Sequence, residues 1–190
     1  MKPAIDVSSY QGHIDWKQVK QAGIEAAILR GFIKNGNLDA SFERNYTGAT
    51  QNGVRLIGVY HYSYALTVEK AKNDAINMIQ KLNHKKLTIW LDLEWPTQRA
   101  LGKKQVTALA QAYVNTCKAL GYTCHIYSNL DWYKNVYNPQ TLKRLGCQFW
   151  IARYPAQDTG IVKKTLKPNI GECLWQYSSK GKIAGIKGNV

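Results

Sequence analysis

The chain has 190 residues, with 26 Lys plus Arg against 12 Asp plus Glu for a net charge of +14, and 45% of its residues are apolar. That length fits one domain with an ordinary core, the apolar share excludes a disordered chain, and no run reaches the roughly 18 apolar residues of a spanning helix. The charge implies a polyanionic partner; nucleic acid, an anionic membrane and an acidic cell wall all meet that requirement, because long-range attraction reads charge and not chemistry.

The N-terminal Met1-Lys2-Pro3-Ala4-Ile5-Asp6 lacks the apolar core of a signal peptide and runs directly into a first predicted strand, about Ala4 to Val7. Asp15 is a good N-cap for a helix from Trp16 that stops at Gly23. Glu25 to Arg30 reads as strand, Ser41 to Asn52 as helix, and Leu56 to Tyr64 as a third strand. Thr67 caps a long amphipathic helix with Val68, Ala71, Ala75, Ile76, Met78, Ile79 and Leu82 on its apolar positions. Leu87 to Glu94 is the fourth strand and Gln105 to Leu120 the next helix. Cys124 to Ser128, Gln148 to Ala152 and Cys173 to Tyr177 are later strands, with a short helical stretch around Leu130 to Val136 and no clear helix before the last strand.

Alternating strands and helices of this kind specify an α/β protein with a parallel sheet. About eight strands, with helices mainly between the first five, predict an irregular single-domain TIM-like β/α barrel. No repeat, linker or low-complexity segment marks a second domain. Cys117, Cys124, Cys147 and Cys173 fit no metal or redox spacing. Buried thiols are the expected state, with a Cys147 to Cys173 bridge as the alternative, and neither metal nor cofactor is expected.

In such barrels the chemistry sits at the C-terminal ends of the strands. Strand one ends at Asp6 and Ser8, strand three at Tyr60, His61, Tyr62 and Tyr64, and strand four at Asp92 and Glu94. Later strands end at Tyr127 with Ser128, Arg153 with Tyr154, and Gln176 with Tyr177. Strand alternation puts Asp92 and Glu94 on one face, roughly 7 Å apart along the chain. Like charges beside an apolar run keep one carboxyl protonated while the other ionises, which is an acid/base pair. The six Trp and twelve Tyr against three Phe favour rings with a polar edge, suited to stacking on sugars while bonding their hydroxyls. Three carboxylates and a ring of aromatics at one mouth therefore point to cleavage of a sugar bond.

The chain resembles the glycoside hydrolase family 25 lysozymes nearly end to end. The resemblance rests on Ile5-Asp6-Val7-Ser8-Ser9-Tyr10-Gln11-Gly12 with Ile14-Asp15-Trp16, Asp39 and Phe42 with Asn45-Tyr46, Gly58-Val59-Tyr60-His61-Tyr62, and Asp92-Leu93-Glu94. It continues through Tyr127-Ser128, Trp150-Ile151-Ala152-Arg153-Tyr154 and Trp175-Gln176-Tyr177. It implies an N-acetylmuramidase that cleaves the β-1,4 bond between N-acetylmuramic acid and N-acetylglucosamine in bacterial peptidoglycan, acting on the cell wall as a monomer without inserting into a membrane. By the same resemblance Glu94 is the general acid, Asp92 its partner and Asp6 an electrostatic support. Retention is the implied outcome, with Asp92 orienting the substrate's 2-acetamido group.

The candidate saccharide cleft comprises Tyr62, Tyr127, Trp150, Tyr154, Trp175 and Gln176. By the same resemblance Arg30, at the end of strand two, matches a position near the site floor, where it is in reach of an ion pair with a carboxylate. Tyr60 and Trp90 share the parity of the acids but lie deeper in the barrel, and His61 faces away from its tyrosine neighbours in a structural role. The family pattern carries a further Asp where this chain stops, at Gly188-Asn189-Val190, so residues 1–190 read as a trimmed catalytic domain after which a wall-binding module could follow. The surplus charge then attracts anionic wall polymers.

Three rival readings are weaker. A carbohydrate-binding barrel without turnover does not need Asp92 and Glu94. A nucleic-acid binder does not need three acids at one mouth. A chitinase-like barrel uses D-x-x-D-x-D-x-E, and this chain has only the last two of those acids, Asp92 and Glu94.

Overall fold

The computed structural model describes residues 3–190; Met1 and Lys2, the start of the segment read as lacking a signal-peptide core, lie outside the described residues. Seven strands form one sheet in sequence order: β1 (Ala4–Val7), β2 (Ala26–Phe32), β3 (Arg55–Tyr62), β4 (Ile89–Asp92), β5 (Cys124–Asn129), β6 (Phe149–Ala152) and β7 (Leu174–Gln176). Each pairs in parallel with the next, and the register aligns Tyr62 with Asp92 and Asp92 with Tyr127. Every residue of β4 and β6 is buried, as expected of parallel strands covered on both faces.

The helices are α1 (Trp16–Gln21), α2 (Phe42–Gln51), α3 (Val68–Leu82), α4 (Pro96–Arg99), α5 (Gly102–Ala119), α6 (Leu130–Asn135) and α7 (Pro139–Arg144). The two predicted caps are in place: the Asp15 carboxylate accepts from Gln18 N, and the Thr67 hydroxyl accepts from Lys70 N. Two helices were not predicted. Asn138 caps α7 with Pro139 at its first position, and Pro96 likewise opens α4, so the signals were present in segments too short to show periodicity. Both α6 and α7 lie between β5 and β6, which extends the helices beyond the first five strands.

Strand alternation divides the core in two. Leu29, Val59, Leu91, Ile126 and Ile151 face outward onto Met78, Leu82, Leu109 and Tyr113 of the helices. Their neighbours Ile28, Trp90, Tyr127, Trp150 and Ala152 face inward and pack on one another, with Tyr60 and Ile57 against them. Trp90 needs a glycine opposite it, because a Cβ on Gly58 would lie 2.5 Å from its Nε1. The inward aromatics fill the floor beneath the strand ends, so the cleft opens above a solid base.

Seven strands are present among the described residues, close to the about eight expected, and β7 and β1 are not paired with each other. Their approach is made by side chains and by the irregular segment after β7. Gln176 Nε2 donates to Asp6 Oδ2 at 2.7 Å, and Gly181 and Val190 exchange backbone bonds of 2.8 and 3.1 Å. That segment is joined to the N-terminal side where Asp15 N donates to Gly185 O at 2.9 Å and Gln11 Nε2 to Asn189 O at 2.8 Å. A run rich in Gly and Lys cannot supply the apolar alternation of a strand but can cross an open seam. All four cysteines are free thiols, three of them buried. Among the described residues no helix is long and apolar enough to cross a membrane.

Candidate active site

A cleft of about 720 Å³ lies over the C-terminal ends of the strands and is lined by Asp6, Asp92 and Glu94 together with Tyr60, Tyr62, Tyr64, Tyr127, Trp150 and Gln176. Asp92 is the last residue of β4, and Glu94 stands two residues past the strand end rather than within it as predicted. The ladder nevertheless continues by one bond, Leu93 N to Tyr127 O at 3.0 Å. Leu93 is thereby buried among the outward residues, and Asp92 and Glu94 both face the cleft. Pro96 then starts α4, whose buried Gln98 donates from Nε2 to Ser63 Oγ (3.2 Å) and Ala65 O (2.8 Å). This clamp fixes the loop after β3, where the Tyr62 and Tyr64 rings pair at 4.9 Å and Tyr64 meets Trp95 at 5.2 Å.

All three acids are shifted in the same direction. Burial raises Asp92 well above the ordinary range, and the charges of Glu94 and Asp6 add to it. Burial also raises Glu94, with a further contribution from Asp6. Asp6 is raised by burial against the opposing hydrogen bond from Gln176. Asp92 is 3% exposed, and its Oδ1 is buried with no hydrogen-bond partner from the protein. The phenols share this setting: Tyr62 is pushed up to about 12, by burial first and then by Glu94 and Asp92. Tyr60 and Tyr127 are raised chiefly by burial. These hydroxyls stay protonated at neutral pH, each with one O–H to donate.

Gln176 organises the side of the cleft nearest the seam. Its Oε1 accepts from Tyr127 Oη at 2.7 Å and from Tyr154 Oη, while its Nε2 donates to Asp6. These three partners fix which way the amide points. Tyr154 therefore supports the cleft through Gln176 and does not line it. Trp175, predicted for the cleft, alternates to the other side of β7, where its Nε1 donates to Arg153 O at 3.0 Å and its ring meets Tyr177 at 5.9 Å. Tyr127 and Trp150 pack at 4.3 Å on the floor, with Trp90 beneath.

Arg30 lines the cleft but lies within β2, which continues to Phe32. Its ion pair is with Asp39, at 2.5 Å from both Nε and Nη2, and not with a carboxylate of the acidic group. Nη2 also donates to Ser9 Oγ at 2.8 Å, and the guanidinium lies 4.7 Å from the Tyr10 ring centroid. His61 is buried, pairs with Tyr113 Oη at 2.9 Å behind the sheet, and is held neutral at about 3, first by burial and then by the Lys70 charge.

Sequence reasoning did not select Tyr10 or the turn of Ile33, Lys34 and Asn35, all of which line the cleft. For Ile33, Lys34 and Asn35 the available signal was position alone, directly after the end of β2, whereas Tyr10 stands in the Ile5 to Gly12 motif, three residues past the end of β1. Among the described residues no cluster of His, Cys, Asp and Glu is arranged to hold a metal ion.

The model of the family described as glycosyl hydrolases family 25 matches residues 5–186. Lysozyme M1 of Streptomyces globisporus is 26% identical over 98% of this chain and 65% of its own length. The autolytic lysozyme of Clostridium acetobutylicum is 27% identical over 97% of this chain and 53% of its own length. The chain thus spans between about half and two thirds of the length of these curated relatives. Among solved structures, the modular autolysin LytC from Streptococcus pneumoniae, in complex with a synthetic peptidoglycan ligand, superposes with a TM-score of 0.80 at 24% identity, covering 98% of this chain and 44% of that one.

Proposed function

We propose that this chain, which belongs to glycosyl hydrolases family 25, is a lysozyme that hydrolyses the β-1,4 bond between N-acetylmuramic acid and N-acetylglucosamine in bacterial peptidoglycan. The observation that carries this reading is the convergence of Asp92, Glu94 and Asp6 on one aromatic cleft, all three shifted towards the protonated state and none ion-paired. Structural needs alone do not account for that arrangement, since unpaired buried carboxyls cost stability.

Glu94 is half-buried and open to the cleft, which suits the general acid. Its proton passes to the glycosidic oxygen as the C1–O bond breaks. Asp92 offers a buried Oδ1 without a protein partner, able to accept the N–H of the substrate's 2-acetamido group. The acetamido oxygen then attacks C1 to give a cyclic oxazolinium intermediate. Water adds to C1 as the Glu94 carboxylate takes its proton, and the configuration is retained. Asp6, held by Gln176, keeps negative charge near the developing oxocarbenium and supports protonation of Glu94. Tyr62, Tyr127 and Trp150 hold the sugar, with Arg30 and Gln176 fixing the walls and Tyr154 behind Gln176. Residues 1–190 form one catalytic domain that acts as a monomer at the cell wall, and its +14 charge attracts anionic wall polymers.

Purified Gram-positive walls should lose turbidity on treatment with the chain, and the new reducing ends should be muramic acid. Reducing N-acetylglucosamine would defeat the assignment.

A further inference from the structure

The turn after β2 carries a cation that the cleavage step does not use. Ile33 N donates to Asn37 O at 3.0 Å and Gly36 N to Ile33 O at 2.9 Å, while Phe32 and Leu38 form an antiparallel bridge at its base. Helix α3 secures its far side, where Asn77 Nδ2 donates to Gly36 O at 3.2 Å and Lys81 Nζ to Asn37 Oδ1 at 3.0 Å. The tip of Ile33, Lys34 and Asn35 is exposed on the cleft rim. A tip anchored on both sides presents its side chains at a defined place, which lowers the ordering cost of a contact made there.

Lys34 Nζ stands 5.3 Å from the Tyr64 ring centroid, and among the described residues Lys34 takes part in no ion pair. The neighbouring cation in the cleft, Arg30, is committed to Asp39 and Ser9. The carboxylates of the floor are left unpaired by both, so the ammonium on the rim is free to meet a negative group that arrives with the substrate. We propose that Lys34 is a specificity residue that binds a carboxylate carried by the glycan, alongside Ile33, whose 37% exposed side chain offers an apolar contact next to it. This rests on the muramidase reading, because a muramic acid residue carries its lactyl ether as a free carboxylate when unsubstituted and as the attachment point of an acidic peptide when substituted.

The test compares the wild type with Lys34→Met and Lys34→Arg on three substrates. These are intact walls, amidase-stripped glycan with free lactyl carboxylates, and the same glycan with those carboxylates converted to neutral methylamides. Lys34→Met should raise the apparent KM by about three- to tenfold on an anionic substrate, leave kcat unchanged, and leave the methylamide glycan unaffected. Lys34→Arg should restore the loss. A loss on the stripped glycan assigns the lactyl carboxylate; a loss confined to intact walls assigns the peptide. Equal losses on all three substrates, or no loss on any, overturn the proposal. If the wild type frees no muramic acid reducing ends from any of the three, the failure belongs to the muramidase reading and not to Lys34.

Discussion

Two buried carboxylates in this chain, Asp39 beside β2 and Asp92 at the end of β4, are equally hidden at 2% and 3% exposure, yet they titrate in opposite directions. Burial acts to raise both. At Asp39 it is outweighed by donors: Oδ1 accepts from Ser41 N (2.9 Å) and Ser41 Oγ (2.6 Å), and Oδ2 accepts from Ser9 N (3.2 Å) and Arg30, so the carboxyl lies below its ordinary range. Asp92 has no such donors on Oδ1 and has two acids for neighbours, so it lies well above. The contrast separates a carboxylate built into the frame from one held in reserve for a substrate. Solvent exposure alone does not distinguish them; the donors gathered on Asp39 lower it, while deeper desolvation and two neighbouring acids raise Asp92.

The contrast is broken most sharply at the reacting acid. Glu94→Gln should lower kcat on walls by about 10³-fold or more while wall binding and the far-ultraviolet dichroism stay as they are, and substantial residual lysis would remove Glu94 from the role of acid. Next in size, Asp39→Asn and Asp92→Asn should move stability in opposite directions. Breaking the Arg30 pair should cost about 3 kcal/mol, lowering Tm by roughly 6 to 12 °C, whereas Asp92→Asn should raise Tm at neutral pH while abolishing most activity. Calorimetry on the two variants decides this, and two shifts of the same sign would refute the comparison.

The pH dependence follows from the same directions. Asp39, depressed in the folded state, contributes stability that is present above its unfolded pKa and is lost as pH falls through its folded value. Asp92 and Glu94, raised in the folded state, contribute with the opposite sign: the fold binds their protons more tightly than the unfolded chain does, so stability falls as pH rises from the unfolded values through the folded ones. Activity that needs Glu94 protonated should therefore decline on the alkaline side through a pKa above that of ordinary glutamate. Asp6→Asn removes one cause of that elevation and should move this limb towards acid; a pH profile of kcat/KM with the limb unmoved would show that the two acids are not coupled. The smallest effect is expected at Tyr127→Phe, which deletes one of the two donors to Gln176 Oε1 and should cost about 1 kcal/mol in stability, measurable by chemical denaturation.

Much of this was readable without coordinates. Alternation within Trp90-Leu91-Asp92-Leu93-Glu94 put the two acids on one face, and the same rule sent His61 behind the sheet. The caps at Asp15 and Thr67 are local chemistry and fell where the residues predicted. The parallel order of the strands followed from helices interleaved between them, because such connections leave few alternatives.

What the sequence could not determine depends on residues far apart along it. Trp175 and Gln176 are adjacent, and their register on β6 decides that the amide, not the indole, enters the cleft. The seam between β7 and β1 is bridged by Asp6 and Gln176, 170 positions apart, and by an irregular segment in place of an eighth strand. Asp39 is held by Ser9, 30 residues before it, so its difference from Asp92 exists only once the sheet has curled. Periodicity and capping are properties of neighbours and survive in a string of letters. The partner of a buried charge is supplied by the fold, and here that partner decides which acids serve the frame and which are left for chemistry.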